Sequence, residues 1–335
     1  AGDASPAQAE FRTKGGRRGP SLSGELDGDG GQVIFQNTST AGDAIFINEG
    51  ISDWYGGTGG RTIFTNNSTA DRATINNHGA TTAVAFLGPV MAGATHFYDF
   101  STAGTANITN HTDGAYSGAF FMSAQTVFFD SSDAGNATIE NEGATAQTVN
   151  HGRTEFRGNS SAALSNIHNR AHMTPGGAAG RTIFYDSATA ADATIHTYDG
   201  YSDHGRIEFR NQSTAARARI MIDNDPLNTA SAGGYLNFFD NSTAAQSQIF
   251  LRPGTQGTVQ FYNNATAADA QIITETGVGN PGNIIFNDNS TAANANISLG
   301  ESSNLTFYGQ STAANATITM ANRAKIDFQG TSAGQ

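Results

Sequence analysis

Hydrophobic and polar positions recur along the chain in one fixed order. Each copy opens with Phe and ends on an Ala and an Ile or Phe two positions apart, as in x-F-x-[ND]-x-S-T-A-x-x-A-x-I. Eleven copies run without an internal gap from 34–46 to 306–318, and a shorter twelfth covers 327–335. Apolar residues two apart indicate β-strands with one buried face. The pattern therefore predicts two short strands per copy, with Phe buried in the first and Ala and Ile in the second.

The spacing of the copies predicts how the strands assemble. Successive pattern Phe residues, from Phe35 to Phe328, lie 21 to 33 residues apart, and the extra residues always follow the A-x-I segment. We predict an all-β, single-domain parallel β-helix of about 11–12 coils of 21–33 residues spanning 32–335. Right-handed winding is the default for parallel crossovers. Coils about 4.8 Å apart give a rod about 50 Å long. Residues 1–31 differ in composition and are predicted to form a flexible or capping segment.

Composition narrows the classes of function. The 335 residues include no Cys, 17 Lys and Arg, and 29 Asp and Glu, for a net charge of −12. The absence of Cys excludes a disulfide framework and thiolate zinc sites. The acidic balance argues against a nucleic-acid partner. No apolar run is long enough to cross a bilayer, so we expect no membrane insertion of this segment. The first residue, Ala1, is not Met, which suggests a removed leader or an excised fragment.

Polar residues between the strands indicate turn chemistry. Asn or Asp two positions after Phe and the S-T-A triplet carry short side chains that bond nearby backbone groups. The Asp residues among them are predicted to cap turns rather than to bind Ca²⁺. The repeated Thr is single and flanked by Ala, which disfavours an ice-binding face.

The residue immediately after each core Phe should point outward, since successive side chains alternate across a strand. This column predicts an aromatic and arginine stripe. One interpretation is a binding face for sugar rings or for a protein, because aromatic faces and guanidinium groups suit both. The other is a self-stacking ladder that stabilises adjacent coils. The stripe consists of Tyr98, Phe129, Arg157, Tyr185, Arg210, Phe239, Tyr262 and Tyr308.

Apolar side chains in the insertions are a second candidate. Trp54 and Tyr55 lie in one Gly-rich insertion, and Tyr116 and Phe120 lie in another. Such segments either pack on the side of the coil or contact a partner. We treat these four residues as candidate loop anchors.

Two histidines occupy the same repeat position on consecutive coils. His168 and His196 each lie twelve residues after their Phe and are weak candidates for a metal site, with His172 nearby. No carboxylate occurs at matching spacing, so a stacked surface pair is the favoured interpretation. We therefore predict neither a metal site nor a cofactor.

The repeat F-x-x-x-S-T-A-x-x-A-x-I, in copies such as FYGQSTAANATI and FFDSSDAGNATI, resembles repeats in passenger regions of bacterial autotransporters and related large surface β-helix proteins. The resemblance covers residues 33–335 and implies an exported, Cys-poor rod at the bacterial surface. It implies no particular activity, since such passengers include adhesins, proteases and passive stalks. Apart from the five residues GTSAG at 330–334, no match to a protease motif such as G-x-S-x-G is present, and no catalytic residue carries over.

These observations lead to an expected function. We expect an extracellular or cell-surface structural or adhesive protein, a rigid rod that displays loops, and not an enzyme. Its expected partners are copies of itself, by head-to-tail or lateral assembly, or surface glycans. The alternative is a β-helix that binds or degrades polysaccharides, with lyase or hydrolase chemistry.

Overall fold

The computed structural model describes most of the chain. The described residues are 8–16, 29–51, 57–81, 92–112, 123–144, 151–171, 179–198, 204–223, 233–254, 256–277 and 281–330. Within them the regular structure is entirely β, with 24 strands joined by turns. No helix in these ranges is long and apolar enough to cross a membrane.

The strands alternate between two sheets. The odd-numbered strands form sheet A: β1 (Glu10–Thr13), β3 (Ile45–Asn48), β5 (Thr74–Asn77), β7 (Asn107–Asn110), β9 (Thr138–Asn141), β11 (Asn166–Asn169), β13 (Thr194–Tyr198), β15 (Arg219–Asp223), β17 (Gln248–Leu251), β19 (Gln271–Thr274), β21 (Asn296–Leu299) and β23 (Thr317–Met320). The even-numbered strands form sheet B: β2 (Gln32–Phe35), β4 (Arg61–Phe64), β6 (Ala94–Phe97), β8 (Gln125–Phe128), β10 (Arg153–Phe156), β12 (Arg181–Phe184), β14 (Arg206–Phe209), β16 (Tyr235–Phe238), β18 (Thr258–Phe261), β20 (Asn283–Phe286), β22 (Asn304–Gly309) and β24 (Lys325–Gly330).

All strand pairs are parallel, and equivalent residues of successive copies are paired. Phe64 pairs with Phe97 in sheet B, and Ile75 pairs with Ile108 in sheet A. The repeated Thr forms a third, narrower ladder of single bridges, beginning with Thr40 and Thr69. This topology confirms the predicted parallel β-helix. Its right-handed winding stays a prediction.

The pattern Phe residues form one stack through the core. From Phe35 to Phe328, neighbouring rings lie 4.6 to 5.1 Å apart, with planes within 4° to 10° of parallel. Each fully buried ring contributes about 1.5–3 kcal/mol. The Ala and Ile predicted to face inward on sheet A do so: Ala137 and Ile139, for example, are both fully buried.

A second inward column differs between the two halves of the rod. In the first half it is an unbroken amide ladder, in which each Asn Nδ2 donates to the Oδ1 of the next Asn at 2.8–2.9 Å. A buried Thr on sheet B also donates its hydroxyl to each Oδ1, at 2.8–3.0 Å. The ladder consists of Asn48, Asn77, Asn110, Asn141 and Asn169.

The same position becomes mostly apolar beyond this ladder. Thr197 pairs with Asn169 on one side and Ile222 on the other. Its hydroxyl is buried and has no hydrogen-bond partner. Farther along, sheet B carries Ile207 and Leu236 where the first half has Thr, and both are fully buried. Thr197 therefore marks the junction between a polar and an apolar filling.

The turns use the polar residues as predicted. Asp99 has φ of 57°, and its carboxylate accepts hydrogen bonds from Thr65 Oγ1 at 2.6 Å and from the Asn66 N–H at 2.8 Å. The Thr65 bond, followed by that from Asn66, lowers the pKa of Asp99. In the next positions, Ser101 Oγ donates to the Tyr98 carbonyl at 2.7 Å, and Thr102 Oγ1 accepts from the Gly104 N–H at 3.1 Å. These hydrogen bonds confirm the turn-capping interpretation for this copy.

Part of the N-terminal segment joins the solenoid. Strand β1 pairs in parallel with β3, and the Phe11 ring stacks on Phe46 at 5.2 Å. Residues 10–13 therefore add a strand to sheet A, within the segment predicted to be flexible or capping. Residues 1–7 and 17–28 lie outside the described part of the chain.

Candidate binding face

The aromatic and arginine stripe runs along the outer side of sheet B. Tyr98 stacks on Phe129 at 4.7 Å with nearly parallel rings. Arg157 lies 4.6 Å above the Tyr185 ring, and Arg210 lies 4.6 Å above the Phe239 ring. The structure thus brings the predicted residues together as a ladder along the rod.

Stacking decides what the stripe presents to solvent. In these contacts the flat ring faces are occupied by the side chains of neighbouring coils, as they are where Phe239 stacks on Tyr262 at 5.0 Å. Burial raises the pKa values of Tyr98, Tyr185 and Tyr262. Ring edges and guanidinium groups therefore face outward, which suits hydrogen bonding and charge better than the stacking of a sugar ring. Tyr308, farther along the column, is 39% exposed.

Two buried carboxylates lie beside the stripe and were missed in the sequence analysis. Arg157 donates from Nε and NH2 to Glu155 Oε2 at 2.9 and 2.6 Å. Arg210 binds Glu208 in the same way at 2.8 and 2.6 Å. The Glu155 and Glu208 side chains are only 5% and 8% exposed. Burial by itself lowers the pKa of Arg157, but the Glu155 carboxylate raises it, and the net shift is upward.

The signal for these pairs was present in the sequence. Both read E-F-R, at 155–157 and 208–210, around an inward Phe. Because alternate side chains share a face, Glu and Arg on either side of Phe meet on the outside. Only the residue after Phe was considered in the prediction.

A column of arginines begins three consecutive strands of sheet B. Arg153 pairs with Arg181, and Arg181 pairs with Arg206, on strands β10, β12 and β14. Arg153 donates to Gln125 Oε1 at 2.6 and 3.0 Å and lies 3.3 Å from Glu155. Together with the stripe, this column forms what we call the arginine face. The arginine face consists of Arg153, Glu155, Arg157, Arg181, Tyr185, Arg206, Glu208 and Arg210.

Polar groups without partners occur on the same side of sheet B. His96 Nε2 and Asn237 Oδ1 are buried and have no hydrogen-bond partner. Burial, and then the positive charge of Arg61, lower the pKa of His96 to about 4. The neutral imidazole thus leaves one ring nitrogen unused. These atoms represent unmet hydrogen-bonding capacity on either side of the arginine face.

The outer side of sheet A carries the two candidate metal-site histidines, His168 and His196. His168 stacks on His196 at 5.0 Å with planes 19° apart, which confirms the stacked surface pair. His196 Nδ1 lies 2.9 Å from Asp223 Oδ2. Asp223 also lies 3.3 Å from Arg252, which contacts Glu275 at 3.0 Å. Burial lowers the pKa of His168.

This geometry is unsuited to chelation. Nearly parallel rings direct their nitrogen lone pairs along parallel lines, so the two imidazoles do not converge on one ion. The described residues contain no group of three or more His, Cys, Asp or Glu placed to hold a metal. His172 lies outside those residues, as do the candidate loop anchors Trp54, Tyr55, Tyr116 and Phe120.

Glu155 and Glu208 also bear on the enzymatic alternative. They occupy the same column two coils apart, a separation of about 10 Å along the rod. Inverting glycosidases place two carboxyl groups across the scissile bond at about 6.5–9.5 Å, with one of them protonated. Here both carboxylates are held by arginine forks. This arrangement fits a charged surface better than an acid and base pair.

Comparison of the chain with protein-family models, with curated proteins and with solved structures finds no match.

Proposed function

We propose that the protein is an extracellular or cell-surface rod with a structural and adhesive role. The observation that carries the proposal is the continuity of the ladders from coil to coil. The Phe stack is unbroken from Phe35 to Phe328, and each strand pairs with the equivalent strand of the next coil. Such a solenoid is stiff along its axis, because each coil is held by hydrogen bonds and packing to both neighbours.

The outer surface supports the same role. Stacked aromatic and arginine side chains outside, and amide ladders inside, bind coil to coil rather than enclosing a reaction site. The resemblance to passenger repeats favours placement outside the cell. Insertions that leave at the end of sheet A strands would be displayed along the side of the rod.

Electron microscopy of the purified chain over a range of concentrations tests the structural role. We expect rods about 50 Å long, isolated or joined into filaments. An assay for reducing or unsaturated ends, after incubation with acidic polysaccharides, tests the enzymatic alternative. Release of such ends, lost on substitution of Glu155 or Glu208, would overturn the structural proposal.

A polysaccharide-binding role is the second candidate, and the arginine face favours it. Five arginines lie on one side of three consecutive strands of a chain with a net charge of −12. An adhesive rod needs a surface that differs from the rest of the molecule, and this face differs in its density of arginine side chains. Adhesion through it is compatible with a rod that performs no chemistry.

A further inference from the structure

We propose that the protein carries sugars on a column of turn asparagines along one edge of the rod. The modification joins a sugar to the side-chain amide of Asn in the motif Asn-x-Ser or Asn-x-Thr. The inference rests on the proposed extracellular or cell-surface placement. The asparagine column consists of Asn67, Asn159, Asn241, Asn264 and Asn289.

The asparagine column occupies one position of the repeat, the third residue after the core Phe. Asn occurs there in five of the eleven full copies, and in each of the five a Ser or Thr follows two positions later. These hydroxyl residues are Thr69, Ser161, Thr243, Thr266 and Thr291. All five segments therefore match the acceptor motif at the turn that leads from sheet B to the Thr ladder.

The column is accessible from solvent. All five asparagines are exposed. Phe100 occupies the same position on another coil and is 67% exposed, so the position points away from the core. A sugar attached here would extend into solvent without displacing a core side chain.

The turn itself does not require Asn at this position. The residue before it closes the turn: Asn66 has φ of 57°, and its Oδ1 accepts the Asn37 N–H at 3.1 Å. No member of the asparagine column has a positive φ. Other copies carry Ser131 or Gln310 at the same position. Turn geometry thus accounts for Asn66 but not for Asn67.

The motif hydroxyl has the same contact in every one of the five copies. Its oxygen accepts the backbone N–H two residues farther on at 3.0 Å, as Thr69 does from Asp71 and Thr243 does from Ala245. A hydroxyl group that accepts a hydrogen bond can still donate one. The proton is therefore available to the Asn side chain or to a transferase.

The motif occurs fourteen times in the chain, and the other nine matches differ from the column. In three of them the Asn has the left-handed backbone conformation that closes a turn: Asn37, Asn66 and Asn211. In the other six the motif includes residues of a β-strand, so its backbone is held in a sheet. Those six begin at Asn107, Asn110, Asn136, Asn296, Asn304 and Asn315.

The transfer needs a sugar that is activated through a phosphate ester at its C1 atom. A bond forms between the Asn Nδ2 and C1, and the bond between C1 and the phosphate oxygen breaks. The phosphate group leaves with that electron pair, and one amide proton passes to a base of the transferase. The rod supplies only the acceptor amide.

Coil spacing predicts how fully each site is modified. Asn241, Asn264 and Asn289 lie on three consecutive coils, about 4.8 Å apart, which leaves little room for sugars side by side. Their amides are also in contact, with Asn264 Nδ2 donating to Asn241 Oδ1 at 3.3 Å. Asn67 and Asn159 have no Asn at this position on the adjacent coils. We expect these two to be more fully modified than Asn264.

Peptide mass spectrometry of the protein purified from the organism that encodes it tests the proposal. We expect an added sugar mass on the peptides that contain Asn67 and Asn159, and a smaller modified fraction at Asn264. The same chain produced in a host without asparagine glycosylation is the unmodified reference. Asn110 is the internal control, because its motif lies in the buried amide ladder and should carry no sugar.

The variants T69A and T69S, made in the same organism, test the motif itself. T69A should lose the sugar at Asn67, whereas T69S should keep it, because the hydroxyl group is retained. Asn159 in the same molecules should stay modified in both variants. Thermal unfolding checks that both remain folded.

Three outcomes would overturn the inference. The first is the absence of sugar from all five members of the column. The second is a sugar that persists at Asn67 in T69A, which would show that the motif is not recognised. The third is equal modification of Asn110, which would show that exposure in the turn does not select the site. In each case, rods seen by electron microscopy would leave the structural role standing.

Discussion

The two halves of the rod share one backbone but fill its interior differently. Coils up to Asn169 place a hydrogen-bonded Asn and Thr pair beside the Phe stack, as in Asn110 with Thr126. Coils from Ile207 onward place mainly aliphatic side chains at the same positions, such as Leu236 and Val259. Strand pairing is parallel and in register in both halves. The Phe stack and the strand ladders are therefore compatible with either filling.

The difference between the two interiors shows what each type of filling contributes to the register of the strands. A buried amide is satisfied only when the next coil supplies its partner at the correct height, so the ladder penalises a shift in register. Aliphatic side chains gain from burial without that directional requirement. We expect the first half to be more specific in register and the second to be more tolerant of substitutions that retain volume.

The largest expected effect comes from placing an amide in the apolar half. Leu236 pairs with Ile207 and Val259, and all three are fully buried. Leu236→Asn should lower the free energy of unfolding by about 4–5 kcal/mol, since apolar burial is lost and a polar group is left unpaired. Urea unfolding measures this change, with Leu236→Met as the control. A loss below about 1 kcal/mol would contradict the apolar description.

The reverse exchange, which places an aliphatic side chain in the polar half, should lower the free energy of unfolding by a smaller amount. Asn110→Leu removes the acceptor of Asn77 Nδ2 and Thr126 Oγ1 and the donor to Asn141 Oδ1. The lost hydrogen bonds are partly offset by the gain in apolar burial. The free energy of unfolding, measured by urea unfolding, should therefore fall by about 2–3 kcal/mol. Asn315→Leu, on an exposed amide outside the core, is the matched control. An unchanged midpoint for Asn110→Leu would show that the ladder adds no stability.

Acidification should affect the polar half through His96. Its pKa is lowered to about 4, so the folded state binds its proton less readily than the unfolded state does. Stability is therefore fully present above about pH 6.5 and falls as the pH drops from there towards 4, by up to about 3 kcal/mol. Unfolding midpoints measured across this range test the effect. His96→Ile, which matches Ile63 in the same column, should flatten the profile, and an unchanged slope would contradict the assignment.

The smallest effect is expected at the junction between the halves. Thr197 has a buried hydroxyl without a partner. Thr197→Val should raise the free energy of unfolding by about 1 kcal/mol, because a desolvated polar group is replaced by a methyl of similar size. Thr182→Val, which removes a hydroxyl bonded to Asn169 Oδ1 at 2.8 Å, should instead destabilise. If both changes shift the free energy of unfolding in the same direction, the buried Thr197 hydroxyl is not a source of instability.

The fold was predictable because the repeat aligns Phe, Ala and Ile in every coil. Phe64 and Phe97 are 33 residues apart, yet the alignment alone identified them as neighbours. The turn roles of Asp99 and Ser101 followed from residue type. The interior Asn ladder was equally predictable, since Asn77 and Asn110 both follow Ile by two positions. It was not predicted, because buried amides are unusual.

The candidate site was only partly predictable. The sequence placed Arg157 and Tyr185 in one outward column. Whether the ring faces of that column are open to a ligand depends on the distance between neighbouring side chains. Rings 4.7–5.0 Å apart cover one another, whereas rings set wider would present their faces. Whether an arginine pairs along its own strand, as Arg210 does with Glu208, or across coils, as Arg170 does with Glu140, depends on side-chain conformation. The sequence pattern does not encode that choice.

Coil length varies from 21 to 33 residues without disturbing strand register, since all the extra residues leave at the junction between sheet A and sheet B. That junction can therefore be treated as a grafting point. A foreign peptide exchanged for the segment between β15 and β16, for example, would be carried at a defined height on the rod. Several peptides grafted on chosen coils would be separated by multiples of about 4.8 Å, because the distance between adjacent coils sets their spacing.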